Sequence, residues 1–385
     1  MNGAEEHFIK GKFLGENGNF DEAIFEFSQA IDLEPTVAEF YLYRGAAYAH
    51  AEFTEAAMED YKKAIKLDPN FARAYVQRGI LYSDMEDYYK AIDDCNKALE
   101  IKPNYINAYG NRGNAYRALG KYEAALADYN KIIELDPRDS SAYVGRGVIY
   151  GLREEYEKAI NEISKAIMLK PDLKEAVEAR ESFIKIMEEA RKYIAEMSEE
   201  IKKYPDRFDL YIQRANAYTD LNDYEKAVED YAKAIEYDPT NPFSYLERGE
   251  LYHRRLQDFE SAIKDYSKFI SVGKEEQLHP SDIAIGYLMR GISYMNLENF
   301  EAALDDLKTA ASLNTKNELV YLYRGRCYQA LGDNKKALAD FKKFIKLDPD
   351  DEQGYFYRGK SYQALGDNKK ALADFAKAKR LGFIE

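Results

Sequence analysis

Seven prolines, Pro35, Pro69, Pro103, Pro137, Pro171, Pro205 and Pro239, follow one another at intervals of thirty-four residues. Pro349 returns to the same grid once eight extra residues are allowed between Pro239 and Asn314, one of them in HRRLQDFE and the rest in SVGKEEQLHPSD. The stretch YQALGDNKKALADF, identical at Tyr328–Phe341 and Tyr362–Phe375, is the same period seen as a duplication. A fixed period of this length specifies a stack of copies of one supersecondary unit, each burying its apolar face against its neighbours.

Within one unit the residue spacing gives two helices. Tyr75, Gly79 and Tyr82 recur at i, i+4 and i+7, one face of a first helix, and Ala91, Cys95 and Ala98 mark the core face of a second. A polar turn (DMED here, LGDN and LGKY elsewhere) separates them, and a proline ends the second helix because it lacks an amide donor and disfavours helical geometry in the residue before it. The small pairs Gly45/Ala57, Gly79/Ala91, Gly113/Ala125, Gly147/Ala159, Gly325/Ala337 and Gly359/Ala371 let the two helices approach closely. The expected fold is all-α, a solenoid of antiparallel helix pairs with no strand.

Residues 172–205 keep the length of a unit and lose its contents. The small pair becomes Glu181 and Tyr193, no Gly, Asn or Asp turn interrupts IMEEARKYIAEM, and apolar residues run on from Leu173 to Tyr204. Glu181/Lys185, Glu188/Lys192 and Glu199/Lys203 are helix-supporting i,i+4 pairs. The expectation is one long helix, on the order of 45 Å, dividing the chain into an array of five units (1–171), a connecting helix or degenerate unit (172–207) and a second array of five (208–385).

Composition narrows the function. With 55 basic and 69 acidic residues among 385 the formal charge is −14, which repels phosphate backbones and anionic lipid and argues against nucleic acid or membrane as a partner. No apolar run is long enough to span a bilayer, and MNGAEEHFIKGKF reads as neither signal nor transit peptide. Cys95 and Cys327 make no disulfide framework, so the expected location is the reducing cytoplasm.

Chemistry-bearing patterns are missing. His7, His50, His253 and His279 show no metal-ligand spacing, Gly11, Gly15 and Gly18 belong to the first unit and its turn rather than to a phosphate loop, and both cysteines read as small buried hydrophobes. No carboxylate pair stands in an apolar setting, and the repeats leave no segment long enough for a catalytic domain. The chain is expected to be no enzyme and to have no catalytic residue, metal or cofactor. One charged pattern recurs: Lys10, Arg44, Arg78, Arg112, Arg146, Arg180, Arg214, Arg248, Arg290, Arg324 and Arg358 on first helices, matched by an acidic series from Glu26, Asp60 and Asp94 to Asp374 on second helices. A recurring partner of opposite sign predicts a ladder of ion pairs rather than an anion-binding row.

The pattern Tyr109, Gly113, Tyr116, Ala125, Tyr129, Ile132, Pro137 resembles the tetratricopeptide repeat motif, with Ile132 where that motif has alanine and Tyr filling the slot the family gives to Trp. Ten units match, starting near Ala4, Ala38, Ala72, Ile106, Ser140, Phe208, Pro242, Ala284, Glu318 and Glu352. The resemblance implies a right-handed superhelix whose concave groove, lined by first helices, binds a peptide or protein segment. It also points to the groove residues: an inward position reading Phe8, Leu42, Val76, Gly110, Val144, Ile212, Leu246, Leu288, Leu322 and Phe356, with Asn114, Asn216, Glu250, Arg326 and Lys360 four places on as polar contacts, and Gly110 and Asn111 as a polar break in the stripe. The alternative for the apolar stripe is packing between neighbouring first helices. The carboxylate clamp that some family members close on heat-shock chaperone tails has no counterpart: its places read Phe8 and Lys12, Tyr43, then Arg73 and Gln77. The other functional reading is a structural spacer, self-associating through the C-terminal unit, where Leu372 and Phe375 precede only RLGFIE.

Overall fold

The recurring turn and proline cut the chain where the sequence spacing says. In the computed structural model, residues 3–383 are described; Met1 and Asn2 of the amino-terminal stretch and Ile384 and Glu385 of RLGFIE lie outside the described residues. These residues form helices α1 (Gly3–Glu16), α2 (Phe20–Leu33), α3 (Ala38–His50), α4 (Thr54–Leu67), α5 (Ala72–Asp84), α6 (Tyr88–Ile101), α7 (Ile106–Ala118), α8 (Tyr122–Leu135), α9 (Ser140–Leu152) and α10 (Tyr156–Leu169). After α11 (Lys174–Lys203) come α12 (Phe208–Asp220), α13 (Tyr224–Tyr237), α14 (Pro242–Leu251), a π-helical turn (Tyr252–Leu256), α15 (Phe259–Glu275), α16 (Pro280–Asn296), α17 (Phe300–Leu313), α18 (Glu318–Ala330), α19 (Asn334–Leu347), α20 (Glu352–Ala364) and α21 (Asn368–Arg380). Among the described residues there is no strand.

Contacts divide the chain into two units, residues 1–149 with 161–176 and residues 150–160 with 177–385. In the first, α1/α2, α3/α4, α5/α6 and α7/α8 are helix pairs; in the second, α12/α13, α14/α15, α16/α17, α18/α19 and α20/α21 are. Within each of the two, successive pairs also pack on one another, as α6 does on α7 and α19 on α20, so apolar burial continues from repeat to repeat.

Three local devices repeat. Between the two helices of a pair one residue takes a left-handed conformation, glycine at Gly120 (φ 72) and Gly332 (φ 82) but glutamate at Glu52 (φ 64) and Glu86 (φ 60). Tyrosine near the start of a first helix donates its hydroxyl to the carbonyl six residues earlier, Tyr41 to Pro35 (3.0 Å), Tyr109 to Pro103 (3.0 Å), Tyr355 to Pro349 (3.0 Å), and Tyr321 to Thr315 where proline is absent (3.0 Å). The third device is the small residue of the first helix. A Cβ at Gly79 would lie 3.3 Å from the Ala91 carbonyl, which is the close approach expected from the small pairs. At Gly45, Gly113 and Gly325 it would instead strike the ring of Tyr61 (2.8 Å), Tyr129 (3.0 Å) or Phe341 (2.6 Å), so glycine there is chiefly a seat for the second helix's aromatic side chain.

Helix α11 runs unbroken for 30 residues. Glu188 occupies the place of the left-handed turn residue in other units and is helical here. Glu181 and Tyr193 supply no seat for a ring and no close approach, so nothing favours folding the segment back on itself.

Candidate functional site

The charged ladder is a set of ion pairs. Arg44 meets Asp60 through Nε (2.8 Å) and Nη2 (2.8 Å), and the same two-bond geometry joins Arg78 to Asp94, Arg112 to Asp128, Arg214 to Asp230, Arg248 to Asp265, Arg290 to Asp306, Arg324 to Asp340 and Arg358 to Asp374. Arg146 engages Glu162, and Lys10 engages Glu26 at 2.5 Å. The acids are buried and the arginines mostly so. Burial pushes the Asp128 carboxyl above its ordinary range against the pull of Arg112, while Arg112 itself is held protonated by Asp128; the short bidentate geometry decides in favour of the ionised pair.

In five units a third guanidinium nitrogen reaches an acceptor that stands two residues after the preceding unit's acid. Arg44 donates to Ser28 (3.1 Å), Arg112 to Asn96 (2.5 Å), Arg146 to Asn130 (2.7 Å), Arg214 to Ser198 on α11 (3.0 Å) and Arg290 to Ser267 (2.9 Å). Arg78, Arg248, Arg324 and Arg358 have Lys62, Ala232, Lys308 and Lys342 at that place and keep only the carboxylate. Arg180 breaks the series: its Nε is buried without a hydrogen-bond partner, and Glu196 lies beside Lys192 instead (3.8 Å). Apart from Arg180, the arginines of the ladder are used up in cohesion and are not available to a ligand.

The candidate stripe splits. Leu42, Val76, Leu288, Leu322 and Phe356 are buried, while Val144, Ile212 and Leu246 are half-buried. Phe356 is covered from an unexpected direction, by the ring of Phe383 stacked at 3.8 Å between centroids. Asn111 is half-buried and returns its amide to the Asn107 carbonyl (2.7 Å). Asn114 and Asn216 are exposed, and each accepts the hydroxyl of its own unit's second-helix tyrosine, Tyr129 (2.7 Å) and Tyr231. Each keeps its amide nitrogen for something else.

What the first helices do present lies beside that stripe. Near the amino terminus Lys12 and Arg73 both sit over the Tyr43 ring, 5.0 and 4.9 Å from its centroid, and Arg73 donates to the Tyr43 hydroxyl (2.9 Å). These are places compared above with a carboxylate clamp, and their cations are engaged with tyrosine. In the second unit a cavity of about 460 Å³ is lined by Met295 of α16, Arg326 and Gln329 of α18, and Tyr357 and Lys360 of α20. Phe243, Ile285 and Leu319, one per successive first helix, are exposed by 48%, 40% and 39%. The sequence reading passed over this row, although the three residues stand at equivalent places of their units and the places in earlier units read Glu39, Arg73, Asn107, Ser141 and Asp209.

For catalysis or metals the side chains offer little. Among the described residues no three His, Cys, Asp or Glu side chains are grouped to hold a metal ion, and no helix is long and apolar enough to cross a membrane. Cys95 and Cys327 are buried free thiols, both pushed up by burial to about 12, which keeps them protonated and unreactive.

Models described as TPR repeat match residues 54–86, 215–255 and 325–366, and models described as tetratricopeptide repeat match 72–105, 106–139, 7–37, 140–173 and 284–317, together more than half of the chain. Solved structures that resemble it include the MamA protein (25% identical, covering 45% of this chain and 91% of that one, TM-score 0.41). Others are a thermophilic TPR protein of Thermus thermophilus, TTC0263 (17%, 47% and 98%, TM-score 0.42), and the yeast Tom70 (16%, 98% and 92%, TM-score 0.38). No curated protein matches the chain.

Proposed function

The chain belongs to the tetratricopeptide repeat family, and from that membership we propose that it is a non-catalytic scaffold that takes up a segment of a partner protein along its first-helix face. The observation that carries this reading is a division of labour. Second-helix carboxylates and rings hold the stack together through the first-helix arginines and glycines, whereas first-helix residues such as Asn216, Arg326, Gln329, Tyr357 and Lys360 lie beside open cavities. In this reading Asn111, Asn114, Val144, Ile212, Asn216 and Leu246 belong to the accessible groove. The buried Leu42, Val76, Leu288, Leu322 and Phe356 support it from below. Residues 1–171 and 208–385 act as two arrays joined by 172–207. The formal charge of −14 favours a protein partner over nucleic acid or membrane, and the two reduced thiols favour the cytoplasm. A heat-shock chaperone tail is not the guest, because the clamp places hold a lysine and an arginine already spent on Tyr43.

A photo-crosslinking residue placed at Tyr357 or Asn216 should capture a partner segment in the native host, and one placed at Leu372 on α21 should not. Leu372 is 70% exposed and is the observation that favours the second reading, self-association through the last unit. Against that reading, Leu381 is buried and Phe383 stacks on Phe356, so the last unit carries its own cover. Crosslinks from Leu372 alone, to a second copy of this chain, would replace the scaffold by the spacer.

A further inference from the structure

In the second unit α18 and α20 bring two unpaired cations to one cavity. This cavity of about 460 Å³ holds Arg326 and Gln329 of α18 and Tyr357 and Lys360 of α20. Met295 and Phe300 give it an apolar wall, and none of the residues lining it is acidic. Resting on the scaffold reading, we infer that this cavity is the seat of an acidic segment of the partner protein. One guest carboxylate lies on the Arg326 guanidinium, a second lies towards Lys360, and an apolar guest side chain rests against Met295 and Phe300.

The two cations share one platform. Arg326 lies 4.9 Å from the centroid of the Tyr357 ring and Lys360 lies 4.8 Å from that of Phe356. Those two rings meet edge to face with centroids 5.3 Å apart. The platform is fixed from behind, because Phe341 stacks on Tyr357 (6.0 Å) and Phe383 on Phe356 (3.8 Å). Gln329 fixes the spacing of the helices. Its amide donates to the Tyr357 carbonyl (2.8 Å) and to the Oγ of the fully buried Ser361 (2.7 Å), bracing α18 against α20. A site held in this way binds without first having to order its own side chains.

An independent observation is the unused bonding capacity of Arg326. It is half-buried and lies over Tyr323 (5.4 Å) as well as Tyr357, yet its N–H donors have no hydrogen-bond or ion-pair partner among the described residues. Arg324 and Arg358, on the same two helices, each close two bonds on a carboxylate. Arg73 near the amino terminus also lies over a tyrosine ring, but it donates to that ring's hydroxyl. Tyrosine rings engage only the face of the Arg326 guanidinium. They leave its edge for a planar acceptor that takes two parallel N–H bonds, and a carboxylate is such an acceptor. In earlier helix pairs of the second unit the place of Arg326 and Lys360 reads Asn216, Glu250 and Ile292, so the paired positive charge is confined to the last two. A chain of formal charge −14 repels an acidic segment elsewhere, and a local cationic pair therefore sets the register of the guest.

The test uses the full chain and a labelled, capped nine-residue peptide repeating glutamate, leucine and serine, titrated at physiological salt. Arg326→Gln with Lys360→Gln should weaken binding at least tenfold. Lys360→Gln alone, at an exposed side chain, should weaken it severalfold with the melting temperature unchanged. Lys335→Gln with Lys369→Gln removes the same charge from exposed places on α19 and α21 and should leave binding intact. Replacing the peptide's glutamates by glutamine should abolish binding. Equal weakening by both lysine-containing pairs would reduce the attraction to general charge and overturn the site. Equal binding of the glutamine peptide would overturn the acidic guest. A ten-nucleotide single-stranded DNA bound as tightly as the peptide would overturn a protein segment as the occupant. Absence of peptide binding would also overturn the inference, and the scaffold reading would survive that result if crosslinks from Tyr357 persisted.

Discussion

A single methyl group measures what the first-helix glycines do. Gly79 and Gly325 are equivalent, yet the second helix answers Gly79 with Cys95, whose sulfur would lie 3.5 Å from an added Cβ, and Gly325 with Phe341, whose ring would lie 2.6 Å away. Gly325→Ala forces a buried ring out of its seat and should cost about 1–3 kcal/mol, as overpacking of a close-packed core does. Gly79→Ala meets only the Ala91 carbonyl at 3.3 Å, and alanine's helix propensity offsets that contact, leaving a change within about 1 kcal/mol. Denaturant unfolding of the two variants checks this, and equal losses would mean that the helix approach alone, not the ring, requires glycine. The requirement for a small residue was legible in the spacing of the glycines. Its cause was not, because the pattern does not say that the aromatic side chain sixteen residues on points at the glycine.

At the scale of the element, α11 shows how far sequence register can be read. Its unbroken course follows from what the segment lacks, a small pair and a turn, and both lacks are visible in the sequence. The arginine and acid positions are also kept, at Arg180 and Glu196, but on one straight helix residues sixteen apart are separated by about 24 Å. Matching signs therefore pair only where a turn brings the second helix back, and Arg180 is left with a buried Nε and no partner. Arg112→Ala should cost about 2–4 kcal/mol because it leaves Asp128 buried and alone, whereas Arg180→Leu should change stability by less than about 1 kcal/mol. Thermal melts of the two variants decide it; a large loss at Arg180 would mean that it anchors α11 through its charge. The candidate stripe fails to be legible for a related reason. A position that faces inward in one helix pair is covered at Leu42, Val76, Leu288 and Leu322 by packing, and at Phe356 by Phe383, which stands where the unit before has Pro349. Exposure at this position is decided by neighbours whose identity changes from unit to unit.

At the scale of the molecule, the repeat makes stability a sum of unit terms and neighbour terms, and the arginines say which neighbours are coupled. Arg112 is bonded to Asp128 on α8 and also to Asn96 on α6, so it ties α7 to its own pair and to the one before. Arg78 has the same carboxylate bond to Asp94, but Lys62 stands where an acceptor would be, and it ties α5 to α6 alone. Two otherwise equivalent substitutions should therefore spread differently. Arg112→Ala should speed amide hydrogen exchange in α7 and α8 and also in α6, with the effect fading towards α1 and α2. Arg78→Ala should speed exchange in α5 and α6 and leave α4 at its parent rate. Because exchange reports local opening as well as global unfolding, mass spectrometry of helix-sized fragments separates these profiles. Uniform acceleration from α1 to α8 in either variant would mean that the first unit opens as a single cooperative body and that the third guanidinium bond carries no coupling of its own. If both variants gave the same local profile, coupling between successive pairs would rest on apolar packing alone, and the serines and asparagines sixteen residues before Arg44, Arg112, Arg146 and Arg214 would be incidental to it.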